Sequence, residues 1–421
     1  MSTFQLTALF LSVVALGAWA NARTLKLPHG VAMLLAGLAG AGALATLNRL
    51  APGLPGVSGA FAAVSGIDFS QTVLGYMLAF LLFAGAMQVD LSELRRRLLS
   101  VFTLATVGVG VSTIIVGLGV WLVAGWLGEA LTLPWALVFG ALISPTDPIA
   151  VLATVRHGNL SKALQAVLQG EALFNDGVGI VVFTALVAFA SGGAPDPGQA
   201  LLRVFVQAAG GLALGAVAGI VVVRAMRAID DFVAEAALSV ALAMGVFALA
   251  QAVHLSGPIA VVGAGLLVGD VSARGAMSEA TQAYLQSFWT LVDEILNALL
   301  FFLLGLQLLV VRFDLRQGGI WIAAILLVLA ARWAVVLPWG SFLHMRREQR
   351  GATVTLTWGG LHGALSLALA LSVPPGPHRP LILAITFVVV TFSIAVQGLT
   401  FAPLAAAVGR TRSGTETLTT P

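Results

Sequence analysis

The chain has 421 residues, of which 9% are charged and 59% hydrophobic, and its mean hydropathy is +1.00. An ordinary soluble domain carries roughly 25% charge, so a soluble enzyme and a disordered chain are both excluded, and a helical membrane protein remains. The net charge of +3 is spread between apolar runs, not gathered into a nucleic-acid patch, and the absence of cysteine excludes disulfides, thiolate metal sites and cysteine nucleophiles.

Taken in order, the apolar runs predict thirteen transmembrane spans, at about 5–21, 29–47, 72–89, 99–125, 131–156, 163–190, 199–225, 231–253, 256–272, 284–311, 318–343, 351–373 and 380–408. Segments 98–128, 236–269, 351–378 and 380–409 hold no Asp, Glu, Lys or Arg at all. The runs do not alternate apolar and polar residues as an outer-membrane barrel would. The first run ends near Ala18-Trp19-Ala20, which resembles a signal-peptide cleavage site, but residues 1–5 carry no positive charge, so it reads as a helix. The longest loop is 48–71, rich in Gly and Pro, and a polar tail follows Arg410. With the N-terminus outside, fifteen Lys and Arg fall inside and five outside, which predicts an N-out, C-in topology.

Polar residues at membrane depth are costly, so they mark function. Span 5 carries Ser144-Pro145-Thr146-Asp147-Pro148 near its middle. Two prolines remove two backbone donors and predict a broken helix there. Span 6 carries Glu171, Asn175 and Asp176. Asp176 falls roughly 20 Å along the span, near mid-bilayer, and Glu171 projects about 140° away from it, so the two acids have different tasks. Asp176 is the expected cation and proton site, with Thr146, Asp147 and Asn175 beside it. Glu171 reads better as a structural, salt-bridged lock, and Arg332, the one basic residue inside a span, needs a partner. Span 12 carries Gly359, Gly360, His362 and Gly363, and three glycines within five residues predict a second interruption. His362 reads either as a proton-handling group or as part of the crossing. Two interrupted spans in matching positions point to an inverted-repeat transporter. Asp293 and Glu294 in span 10 read either as an inner funnel or as partners of Arg332, about a third of the way from the cytoplasmic end.

Ser144–Pro148, Glu171–Gly177 and Gly359–Ser366 together resemble the signatures of NhaP-type sodium/proton antiporters, of the monovalent cation/proton antiporter family that includes the animal sodium/proton exchangers. The resemblance implies an all-α polytopic membrane protein with discontinuous, crossing spans 5 and 12. It implies a homodimer whose dimerisation domain comprises 1–98 and 231–316, an ion-transport core of 99–190 and 317–409, a linking helix in 191–230 and a disordered cytoplasmic tail, 410–421. It implies that Asp176 binds cation and proton in turn, with Thr146 as a second cation ligand, and that Glu171 pairs with Arg332. Three positions depart from the family pattern: Ala172 where Ser is usual, Ala84 where Glu is common, and His362 where Arg is usual.

The function expected is secondary active exchange of Na⁺ or Li⁺ for H⁺ across the inner (plasma) membrane, for pH and sodium homeostasis. One carboxylate exchanging one charge for another predicts electroneutral turnover. The cargo ions are the ligands, and no cofactor, nucleic acid or catalytic residue set is expected. A K⁺/H⁺ antiporter of the same fold is the alternative. A channel lacks its selectivity ring. An intramembrane enzyme lacks its motifs, and an anion carrier lacks buried cations.

Overall fold

The structure is a computed structural model that describes residues 3–50, 57–147, 161–193, 197–273, 278–342 and 351–410. Among these the chain is helical apart from turns, and its pairing of extended backbone is a single bridge between Asp147 and Leu361. Each predicted span has a helical counterpart. Span 5 is described only as far as Asp147, so Pro148 lies outside the described residues, as do Arg156, Arg274, Arg346, Arg347, Arg350 and the tail beyond Arg410.

The helices are α1 (Thr3–Arg23), α2 (His29–Leu50), α3 (Val57–Ser65), α4 (Phe69–Met87), α5 (Leu91–Arg96), α6 (Leu98–Leu127), α7 (Leu133–Ile143) and α8 (Lys162–Ala190). Then come α9 (Pro197–Met226), α10 (Phe232–Ala252), α11 (Gly257–Ala273), α12 (Glu279–Leu306), α13 (Gly318–Phe342), α14 (Ala352–Trp358) and α15 (Ala364–Ser372). The last, α16, runs from Arg379–Phe392 through a π-helical turn at Ser393–Gln397 into Gly398–Arg410. Among the described residues, nine helical stretches are long and apolar enough to cross a bilayer, and α1, α7 and α11 supply shorter apolar ones. The protein is an integral membrane protein. Two short helices fall where the sequence shows only loop. α3 occupies part of 48–71, where small apolar residues follow the glycines and prolines. α5 is started by Asp90, whose side chain accepts from the amides of Ser92 and Glu93.

Helix starts follow from their caps. Ser161, Asp231 and Ser278 each accept a first-turn amide, and so begin α8, α10 and α12. Packing relies on close approach. α9 lies along α11, α12 along α2, α6 against both α7 and α13, and α8 against α7. Where α2 meets α12, a Cβ on Gly37 would stand 3.0 Å from the Gly305 Cα, so small residues set the helix separation. Three spans carry a π-helical turn, at Thr72–Met77, Leu104–Gly108 and Ser393–Gln397.

Both interruptions are present. α7 stops at Ile143 and the chain runs on without helical bonds through Asp147. The span of α14 and α15 is broken at 359–363. The two breaks meet where the amide of Asp147 donates to the Leu361 carbonyl at 2.7 Å.

Candidate functional site

At the crossing, half-helices end inside the protein and leave backbone groups without helical partners. Side chains from three other elements meet them. The Arg332 Nε on α13 donates to the Leu356 carbonyl in the last turn of α14, at 3.2 Å. The positive guanidinium therefore sits at the negative end of a half-helix. The same guanidinium makes a two-pronged ion pair with Glu171 of α8, Nη1 to Oε1 and Nη2 to Oε2, the second at 2.9 Å. Glu171 is 2% exposed and Arg332 7%, so both charges are removed from solvent and satisfied by each other. Gly360 permits this arrangement, since a Cβ there would stand 2.9 Å from the Arg332 Cδ.

His362 lies within the second break. Its amide donates to Ser393 Oγ, in the π-helical turn of α16, at 2.9 Å. Its Nδ1 lies 3.2 Å from the Pro145 carbonyl, a group freed by the first break. The imidazole thus fastens one interruption to the other. Asp147 reaches in the opposite direction. A Cβ on Gly363 would be 2.9 Å from both Cβ and Cγ of Asp147, so this carboxylate rests against the N-terminus of α15, where a negative charge is favoured.

Asn175 and Thr146 join α8 to the first break: Asn175 Nδ2 donates to Thr146 Oγ1 at 2.9 Å, and both residues are buried. Asp176 follows directly on α8 and is half-buried. Its neighbour Gly177 is pressed against Ile259 of α11, and Asp147 is close enough to act on Asp176 electrostatically. The structure therefore brings together Thr146, Asp147, Asn175, Asp176, Glu171, Arg332, His362 and the glycines of span 12. Ala172 and Ala84 are buried and offer no oxygen from their side chains.

Asp293 and Glu294 stand apart from this cluster. They fall at the middle of the 28-residue α12, not a third of the way along it, and Asp293 Oδ1 accepts from Asn297 Nδ2 at 2.9 Å. Arg332 is engaged by Glu171 and Leu356. A cavity of about 890 Å³ opens where α4 ends and α12 begins, lined by Gln88, Asp90, Ser92, Asp270, Gln286, Trp289 and Thr290 among others. Asp293 and Glu294 are not among its lining residues. Asp90 and Asp270 make its wall acidic. The Ser92 hydroxyl at 2.6 Å, then the Glu93 amide, hold the Asp90 carboxyl below its ordinary range, so it stays charged at neutral pH. Ser393, which anchors His362, was the other residue missed. The signal available was a serine and a glutamine, Ser393 and Gln397, in a span otherwise free of strongly polar groups.

A half-buried carboxylate beside two broken helices that cross inside a helical bundle defines a class: a membrane transporter built on discontinuous spans. Residues 10–407 match the transmembrane sodium/hydrogen exchanger family. The Na⁺/H⁺ antiporter NhaP of Pseudomonas aeruginosa is 40% identical over 409 residues, covering 95% of this chain and 96% of that protein. The Na⁺/H⁺ antiporter NhaH of Halobacillus dabanensis is 34% identical over 407 residues, covering 95% of each. In fold, the chain matches the sodium proton antiporter MjNhaP1 of Methanocaldococcus jannaschii over all of both chains, with a TM-score of 0.75 at 19% identity. The chain belongs to the sodium/hydrogen exchanger family.

Proposed function

We propose that this chain is a secondary active antiporter that exchanges Na⁺, or Li⁺, for H⁺, with Asp176 as the exchanged site. The observation that carries the reading is the division of labour among the buried acids. Glu171 is committed to Arg332, and Asp147 is committed to the end of a half-helix. Asp176 is left half-buried beside the break. A carboxylate in a poorly hydrated place gains from either a proton or a cation, and the two compete. The Thr146 hydroxyl, backbone carbonyls of the break and water would complete an oxygen cage suited to a small hard cation. Asn175 brings no second titrating group, so one proton is exchanged for one cation.

The relatives named as Na⁺/H⁺ antiporters do not favour the K⁺/H⁺ alternative. We assign α6, α7, α8 and α13–α16 to the transport core and α1–α4 and α10–α12 to a dimerisation domain, with α9 as the link. We place the protein as a homodimer in the plasma membrane, N-terminus outside, serving pH and sodium homeostasis. The test is a reconstituted, acid-loaded proteoliposome with a pH-sensitive dye. Addition of Na⁺ or Li⁺ should restore fluorescence, and K⁺ at the same concentration should restore little. Equal responses to K⁺ and Na⁺ would overturn the cation assignment.

A further inference from the structure

Behind the Asn175–Thr146 contact lies a second, far smaller space. It is a cavity of about 10 Å³ enclosed by α6, α8, α13 and the two breaks. One side is polar, formed by Asn175, Thr146, Arg332 and His362 among others, and the other is apolar, with Val109 and Val328. A space of this size admits the centre of one water molecule, and a polar wall is what keeps a water in place.

Asn175 supplies an independent reason to look there. It is 1% exposed, and its Oδ1 has no hydrogen-bond partner among the described residues, although the same amide donates from Nδ2 to Thr146. A buried amide oxygen left in this condition is costly. Exchanging the amide's oxygen and nitrogen does not remove the problem. Thr146 would then donate to the oxygen, and the nitrogen would be left without an acceptor. A water both donates and accepts, so it satisfies either orientation. Partners for that water are at hand on the same wall. Arg332 spends three of its five N–H groups on Leu356 and Glu171, and His362 has a second ring nitrogen beyond the one at Pro145.

We propose that this cavity is a binding site for one water molecule, which ties the Asn175 amide to the Arg332 and His362 side and thereby holds Asn175 in the rotamer that fixes Thr146. Thr146 is a cation ligand only under the function proposed above, so the consequence for transport rests on that reading. The water site itself does not. Asn175 acts as a positioning residue through Thr146, and the water acts through Asn175.

Two measurements test this. The first is a structure of the detergent-solubilised or nanodisc-embedded parent protein at a resolution that shows ordered waters. One isolated density is expected within hydrogen-bond distance of the Asn175 amide. Well-ordered side chains with no density between them, or an Asn175 amide turned to a protein partner, would overturn the proposal. The second uses Val109→Ile and Val328→Ile, which add one methylene each from the apolar wall, with Val328→Ala as a variant that leaves room for the water. Displacing the water strips Asn175 of its partner and should raise the KM for Na⁺ about tenfold, with kcat changed much less. Val328→Ala should stay within about twofold of the parent KM even though its thermal stability falls. If both isoleucine variants fold and transport with the parental KM, the positioning role is wrong. If the density is present and no variant transports Na⁺, the water site stands and the cation reading fails.

Discussion

The proposed function makes Asp176 the residue on which the exchange cycle turns. Asp176→Asn keeps the size and hydrogen-bonding capacity of the side chain and removes the charge for which proton and cation compete. Reconstituted protein should show no Na⁺-dependent proton movement while keeping its yield and thermal stability. Substantial exchange by a well-inserted variant would sink the assignment. Glu171 and Arg332 predict the opposite pattern. Removing either partner leaves a buried charge unpaired, at a cost on the order of 3–5 kcal/mol. Glu171→Gln and Arg332→Ala should therefore lower the melting temperature and the yield of folded protein, and Arg332→Ala also strips the Leu356 carbonyl of its donor. Two single variants as stable as the parent would show that the pair contributes little. His362 is bound by both its backbone and its ring to separate breaks, so it has a structural task whatever its charge. His362→Gln keeps an N–H for Pro145 and loses titration, and His362→Arg carries a fixed charge. If ring titration tunes transport, both variants change the acidic side of the pH–activity curve. If both keep the parental curve, the residue serves only to fasten the crossing.

At the scale of elements, the crossing depends on how closely Asp147 approaches the start of α15. Gly363→Ala places a methyl group on the Asp147 carboxylate and must push the two breaks apart. Displacements of about 1 Å in a working site can lower rates on the order of 100-fold, and a loss of that order in initial exchange rate is expected, read in proteoliposomes against insertion level. An unchanged rate would mean that the approach is not needed for transport. The elements were legible wherever a cost was visible in the sequence. Charge-free runs could only be spans, and Pro145 with Pro148 and the glycines at 359–363 could only be interruptions. Glu171 and Arg332 were each too expensive to stand alone. Ser393, by contrast, was not singled out because a hydroxyl is inexpensive in a helix and can bond its own preceding turn. Its role depends on a π-helical turn that no residue pattern announces.

For the whole molecule, the charge carried per cycle follows from the count of titrating groups at the site. With Asn175 beside Asp176 in place of a second acid, the proposed exchange moves one cation for one proton and carries no net charge. Setting a membrane potential with valinomycin and a K⁺ gradient should leave the initial rate of Na⁺/H⁺ exchange unchanged. A clear voltage dependence would require a second moving charge and a different stoichiometry.

The hydrogen bond from the Asp147 amide to the Leu361 carbonyl has a mechanical consequence. A broken helix is ordinarily a place where a chain can flex. Here the two slack stretches are pinned to each other, and flexing either would strand a buried amide and carbonyl without each other. The crossing is therefore a stiff joint made of irregular backbone. Compliance has to be sought at its rim, along seams such as that between α8 and α11, where Gly177 rests on the apolar side chain of Ile259 and one surface can slide on the other.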